Sequence, residues 1–201
     1  MSQTSLLFWS ARFLIIGGIL MVSGINLFPG SIHVYDFDNI FYLPSVALIA
    51  LGTTLILMPF PLLYAFQADK GGFLGFFGFF TAFTGLAVFG FFPLFQSSIF
   101  PVLASYNLET AALLTLEETP FTLFFTFYRG GILVLALGFS LLGLSGLRSK
   151  AYSSAVPILF ISGAISTIAI PIQPYDIQIG ISLICLGIIL AGNHIFGEAK
   201  S

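Results

Sequence analysis

The chain has 201 residues, of which 58% are hydrophobic, 7% are charged and 25 are phenylalanine, and its mean hydropathy is +1.07. Soluble domains carry roughly a quarter charged residues, so a water-soluble fold is excluded. With 6 Lys+Arg against 8 Asp+Glu there is no basic surface for nucleic acid.

The first apolar stretch, Leu6–Phe28, follows a short polar N-terminus that holds no Lys or Arg. A cleaved signal would have a basic leader and a shorter apolar core, so this stretch reads as a retained span. Arg12 and Trp9 near its start read as interfacial anchors. Further stretches follow at Pro44–Phe66, Phe73–Phe95, Phe121–Leu147, Ala155–Gln173 and Ile177–Phe196. About 20 apolar residues cross roughly 30 Å of hydrocarbon, so all six qualify. They lack the alternation of a barrel strand, and lipid offers the backbone no partners, which leaves helices. The pattern predicts an all-α fold: one domain over residues 1–201, a bundle of six transmembrane helices.

Pro174, Tyr175 and Asp176 are expected to form the turn between the last two spans. The longest connection, Asn107–Thr119, carries Leu108, Ala111, Ala112 and Leu116 at helical spacing and ends before Pro120. It predicts a short helix lying on the membrane surface.

The cations set the orientation. Lys70 follows the second stretch, Arg148 and Lys150 the fourth, and Lys200 the sixth. The other connections hold acids and no Lys or Arg. Cations gather on the cytoplasmic side, so both termini are expected in the cytoplasm of a bacterial inner membrane.

Gly71, Gly75, Gly78, Ala82 and Gly85 recur at intervals of four, three, four and three, on one helix face. Small residues let helix backbones approach closely in lipid. The stripe is either an internal packing face or a docking face for another subunit or a flat lipophile such as a quinone or carotenoid. Arg12–Leu20 and Arg129–Leu133 share a faint echo, too short to define an inverted repeat.

No Asp or Glu falls within a predicted span, so carboxylate metal sites and proton relays have no acid to build on. Arg129 is the exception in charge. It lies about two turns into the fourth stretch, where Tyr128, Gln96, Asn26 and Gln173 are candidates to meet it. Arg129, Tyr128 and Gln96 make a candidate site for an anion or lipid headgroup; the alternative is an arginine that snorkels to the headgroups. His33 and His194 fall at opposite ends of the bundle and cannot share a metal. The lone Cys185 allows no internal disulfide.

From Pro44 onward, Leu63–Ala68, Gly72–Phe79 and Phe100–Ala104, with the patterns at Gly138–Gly143 and Gly187–Gly192, resemble a group of uncharacterised bacterial six-span integral membrane proteins. In that group an acid often stands where this chain has Gln96. The resemblance implies the fold and the membrane location, and no activity. Separately, Gly143-Leu144-Ser145-Gly146 resembles the GxSG pattern of rhomboid intramembrane serine proteases, which also carry a histidine in their sixth span, as His194 does here. The serine lies at the opposite end of its span from the rhomboid position, and the family's span-two histidine and asparagine have no counterpart.

The expected function is non-catalytic. The chain reads as an accessory or scaffold subunit of a larger membrane complex, in contact with membrane lipid and other subunits and able to hold lipid, quinone or pigment. The alternative is a channel or facilitator for a small neutral or anionic solute, lined by Thr53, Thr81, Thr84 and Ser166; a remote alternative is a rhomboid-like intramembrane serine protease acting through Ser145.

Overall fold

The computed structural model describes residues 3–28, 39–106, 123–169 and 174–199. Among them the regular elements are all helices: α1 (Gln3–Leu27), α2 (Tyr42–Leu57), α3 (Phe60–Ala65), α4 (Ala68–Tyr106), α5 (Leu123–Ser149), α6 (Ala155–Ala169) and α7 (Pro174–Glu198). Four segments are long and apolar enough to cross a membrane: Thr4–Leu27, Ala68–Phe92, Tyr128–Ser149 and Ile177–Glu198. The apolar helices Tyr42–Leu57 and Ala155–Ile168 are shorter. The expected surface helix at Asn107–Thr119 lies outside the described residues.

Two boundaries differ from the sequence pattern for local reasons. The second apolar stretch is broken at Met58–Pro59 into α2 and α3. Pro59 and Pro61 lack the N–H groups a continuous helix would use. Pro174, Tyr175 and Asp176 do not form a turn; they are the first turn of α7. Proline is well placed there, because its fixed φ suits a helix start and its missing N–H would be unpaired anyway.

The helices make a closed ring in chain order. Contacts run from α1 to α2, α2 to α4, α4 to α5, α5 to α6, α6 to α7, and from α7 back to α1. Every neighbouring pair is antiparallel. On α4 and α5, Gly78 meets Leu142 while Gly85 meets Leu135; on α1 and α7, Gly192 meets Ala11 while Gly18 meets Cys185. The alternation gathers Arg12, Lys70, Arg148 and Lys150 at one end of the bundle, hereafter the cationic end, and leaves Arg129 at the other.

Close backbone approach holds the ring together. A methyl built on Gly52 would lie 2.7 Å from the Gly17 carbonyl oxygen, and one on Gly163 would lie 2.6 Å from that of Gly180. The small stripe of α4 packs on α5: Gly71 and Gly75 face Ser145, Gly78 faces Leu141 and Leu142, Ala82 faces Gly138, and Gly85 faces Leu135. Aromatic rings fill the space between α3, α4, α5 and α6. Phe60, fully buried, meets Phe79 at 5.7 Å, Phe83 at 6.2 Å and Phe139 at 6.0 Å, and Phe139 meets Phe160 at 5.0 Å. Such contacts add dispersion and quadrupole attraction where lipid removes most of the hydrophobic driving force.

Candidate functional site

The cationic end holds a group of buried polar side chains where α3, α4 and α5 converge. Ser145, on the penultimate turn of α5, is fully buried, and its hydroxyl donates to the Gly71 carbonyl at 3.4 Å. Glycine at 71 and 75 makes room for it: a methyl at either would lie 2.6 or 2.8 Å from Ser145 Oγ. Gly72, next in line, breaks α4 with φ +53° and ψ −151°, a conformation essentially confined to glycine.

Gln67 sits in the joint between α3 and α4 and is only 3% exposed. Its backbone is well used. The N–H donates to Tyr64 O at 2.9 Å, and the carbonyl accepts from Gly71 N at 2.6 Å and Lys70 N at 3.2 Å. Its side-chain Oε1 is buried without a hydrogen-bond partner among the described residues. A methyl on Gly146 would lie 3.5 Å from it. A buried amide oxygen without a donor costs about 1–3 kcal/mol, so this atom is an acceptor facing an unmet demand.

The connection from α5 to α6 closes the group. Lys150, with φ +53°, turns the chain out of α5, and Ser149 Oγ donates to Gly146 O and accepts from Ala151 N. Tyr152 then folds back, and its hydroxyl donates to the Leu63 carbonyl at 2.6 Å. That carbonyl lies near the end of α3, where helix carbonyls lack partners within the helix. The Tyr152 ring stacks on Phe66 and meets the His194 ring edge-on at 5.8 Å. Burial pushes the Tyr152 phenol up from its ordinary range, because the charged form loses its water. The arrangement pairs neutral donors with neutral acceptors, and no three His, Cys, Asp or Glu among the described residues converge as metal ligands would.

The residues singled out by sequence are dispersed. Tyr128 stacks on Phe92 at 4.7 Å and on Phe89 at 6.1 Å, both on α4. Arg129, next to it, is exposed. Gln96 is in α4, with its side chain outside the described part, and Gln173 is outside it altogether. Asn26 turns to its own helix and to α7, donating to Val22 O at 2.8 Å and Ser182 Oγ at 3.5 Å. Thr53 is buried against Met21 and Gly90, whereas Thr84 is exposed on α4 and donates to Phe80 O. One of these threonines is therefore packed between helices and the other is exposed. Ser145, of the GxSG pattern, faces the α4 glycines, and His194 faces Tyr152. Gln67 and Tyr152 were not apparent as site residues. The available signal was a polar Gln one turn ahead of the Gly71-Gly72 pair, and a lone tyrosine in the short Lys150–Ser154 connection.

The outward face of α4 is aromatic. Phe73 and Phe80 are 78% and 62% exposed, Phe76 and Phe77 are also exposed, and the four recur at helical spacing. Phe73 and Phe77 meet at 4.2 Å, and Phe76 and Phe77 at 5.7 Å. Elsewhere the exposed wall is mainly aliphatic: Ile16 and Ile19 on α1, Leu133 and Leu137 on α5, Ile158 and Ile165 on α6.

The described residues thus form a helical chain with four helices apolar enough to cross a membrane, a neutral polar joint at its cationic end and an aromatic outer face on α4. No family model, curated protein or solved structure matches it.

Proposed function

We propose that this chain is a non-catalytic accessory subunit of a larger membrane assembly and that it docks through the aromatic face of α4. One observation carries the reading. Among the described residues, exposed phenylalanines concentrate on this helix over two turns, while the other helices turn mainly Leu and Ile outward, with Trp9 on α1 an aromatic exception. Lipid is satisfied by aliphatic side chains. Flat rings ordered against one another supply a large, rigid contact area to a protein or planar partner at little entropic cost. The opposite face of α4 is already covered by α5, so docking needs no rearrangement of the bundle.

The same reading has the chain cross a bacterial inner membrane six times, with both termini in the cytoplasm. The antiparallel order of the ring and the grouping of Arg12, Lys70, Arg148 and Lys150 support it. The filled aromatic interior around Phe60 and Phe139 favours a subunit over a channel.

Photo-crosslinking in native membranes tests the docking face. A benzophenone side chain at Phe80 is expected to give a discrete protein adduct, and one at Leu137 none. Lipid adducts alone at both positions would remove the proposal. A quinone or carotenoid recovered from the Phe80 adduct would reassign the face to a small lipophile.

A further inference from the structure

Arg12 lies eight residues into the segment Thr4–Leu27, about 12 Å along the helix at 1.5 Å per residue. Its guanidinium carbon is 4.0 Å from the Phe8 ring centroid, 5.3 Å from Trp9 and 6.0 Å from Phe196 of α7. Phe8 and Phe196 also meet each other at 5.1 Å, which fixes this corner of the ring. The rings attract the cation through their faces. They use none of its five N–H donors, which lie in the guanidinium plane. Among the described residues Arg12 makes ring contacts only, with no hydrogen bond or ion pair. The side chain is thus positioned by aromatic contacts, with its hydrogen-bonding edge unused by the described residues.

What lies beside it selects the ligand. The exposed residues Leu6, Trp9, Arg12, Ile16 and Ile19 are spaced three, three, four and three apart, so they share one side of α1. Arg12 is the single charge in that row, and Ile16 and Ile19 continue from it towards the middle of the bundle. A guanidinium fork matches two oxygens of a phosphate in a bidentate pair. An aliphatic track running inward from the same point matches an acyl chain.

We propose that Arg12, held by Phe8, Trp9 and Phe196, binds the phosphodiester of an anionic phospholipid whose acyl chain lies along Ile16 and Ile19. The site is separate from the α4 face, and neither proposal depends on the other.

The test is native mass spectrometry of the full chain in detergent, titrated with phosphatidylglycerol and, separately, with inorganic phosphate. Phosphatidylglycerol adducts are expected on the wild type. They should weaken about tenfold in Arg12→Gln, the loss of one charge-assisted pair, and persist in Arg148→Gln. Arg12→Lys keeps the charge without the fork and should fall between. Equal retention by Arg12→Gln would overturn the site. Equal loss in Arg148→Gln would reduce it to general attraction at the cationic end, and saturation by inorganic phosphate alone would make it a site for a soluble anion; either result overturns the lipid assignment. Should Arg12→Gln fail to fold, Arg12→Lys decides: weaker binding supports the proposal and unchanged binding sinks it.

Discussion

Gly138 of α5 lies directly against Ala82 of α4, so close that a methyl on Gly138 would collide with the Ala82 backbone nitrogen and Cα. Backbone cannot swing aside as the end of a side chain can. The α4–α5 contact is therefore set by what is missing from the glycine.

Gly138→Leu should force these helices apart and cost at least about 1–3 kcal/mol, the usual range for overpacking. Gly197→Ala, which meets nothing within 4 Å among the described residues, should stay within about 0.5 kcal/mol of wild type. Denaturation from detergent micelles, followed by circular dichroism, measures both. Equal stability of the two variants would contradict the contact.

Gly72→Ala separates conformation from space. No atom lies within 4 Å of the added methyl, yet φ +53° with ψ −151° excludes a side chain. A loss of about 1–3 kcal/mol is expected from strain alone. A melting temperature equal to wild type would mean that the break in α4 straightens freely.

At position 67, Gln67→Leu removes the buried acceptor that lacks a donor and should leave stability unchanged or raised by about 1 kcal/mol. Gln67→Glu should destabilise, and more at about pH 8 than at about pH 4, because burial opposes the charged carboxylate. Thermal unfolding at the two pH values checks this. A clear loss in the leucine variant would reveal a donor that serves Oε1.

Tyr152→Phe leaves the Leu63 carbonyl without its hydrogen bond and should cost about 1–3 kcal/mol. The phenol is raised in the folded protein, so its contribution is full below the ordinary value of about 10 and is lost as pH rises above it. The wild type should therefore lose stability on alkaline titration more steeply than the phenylalanine variant. Parallel curves would contradict the buried hydrogen bond.

The helical character of the chain was legible because a long apolar run leaves the backbone no other way to satisfy itself in lipid. Its limits were less so. Apolarity marks what can sit in hydrocarbon, not where the backbone stops, so α4 continues to Tyr106 beyond the expected Phe95. Pro174 reads as a turn in isolation and starts a helix in context. Met58-Pro59-Phe60-Pro61 carried its break openly. The joint around Gln67 left only a polar residue ahead of a glycine pair in the sequence, since its unmet oxygen exists only once α3, α4 and α5 meet. The spacing of the α4 stripe defined a face, but not that α5 would cover it.

The contact between Phe8 and Phe196 joins α1 to α7, two helices far apart in the chain. Until α7 emerges, α1 has no neighbour on that flank, and Gly18 waits for Cys185 and Ile189. A nascent chain halted before residue 174 would be an open arc with bare glycine along one edge. Such an arc is a natural client for membrane chaperones and quality-control proteases, so the arrival of α7 decides whether the helices before it survive.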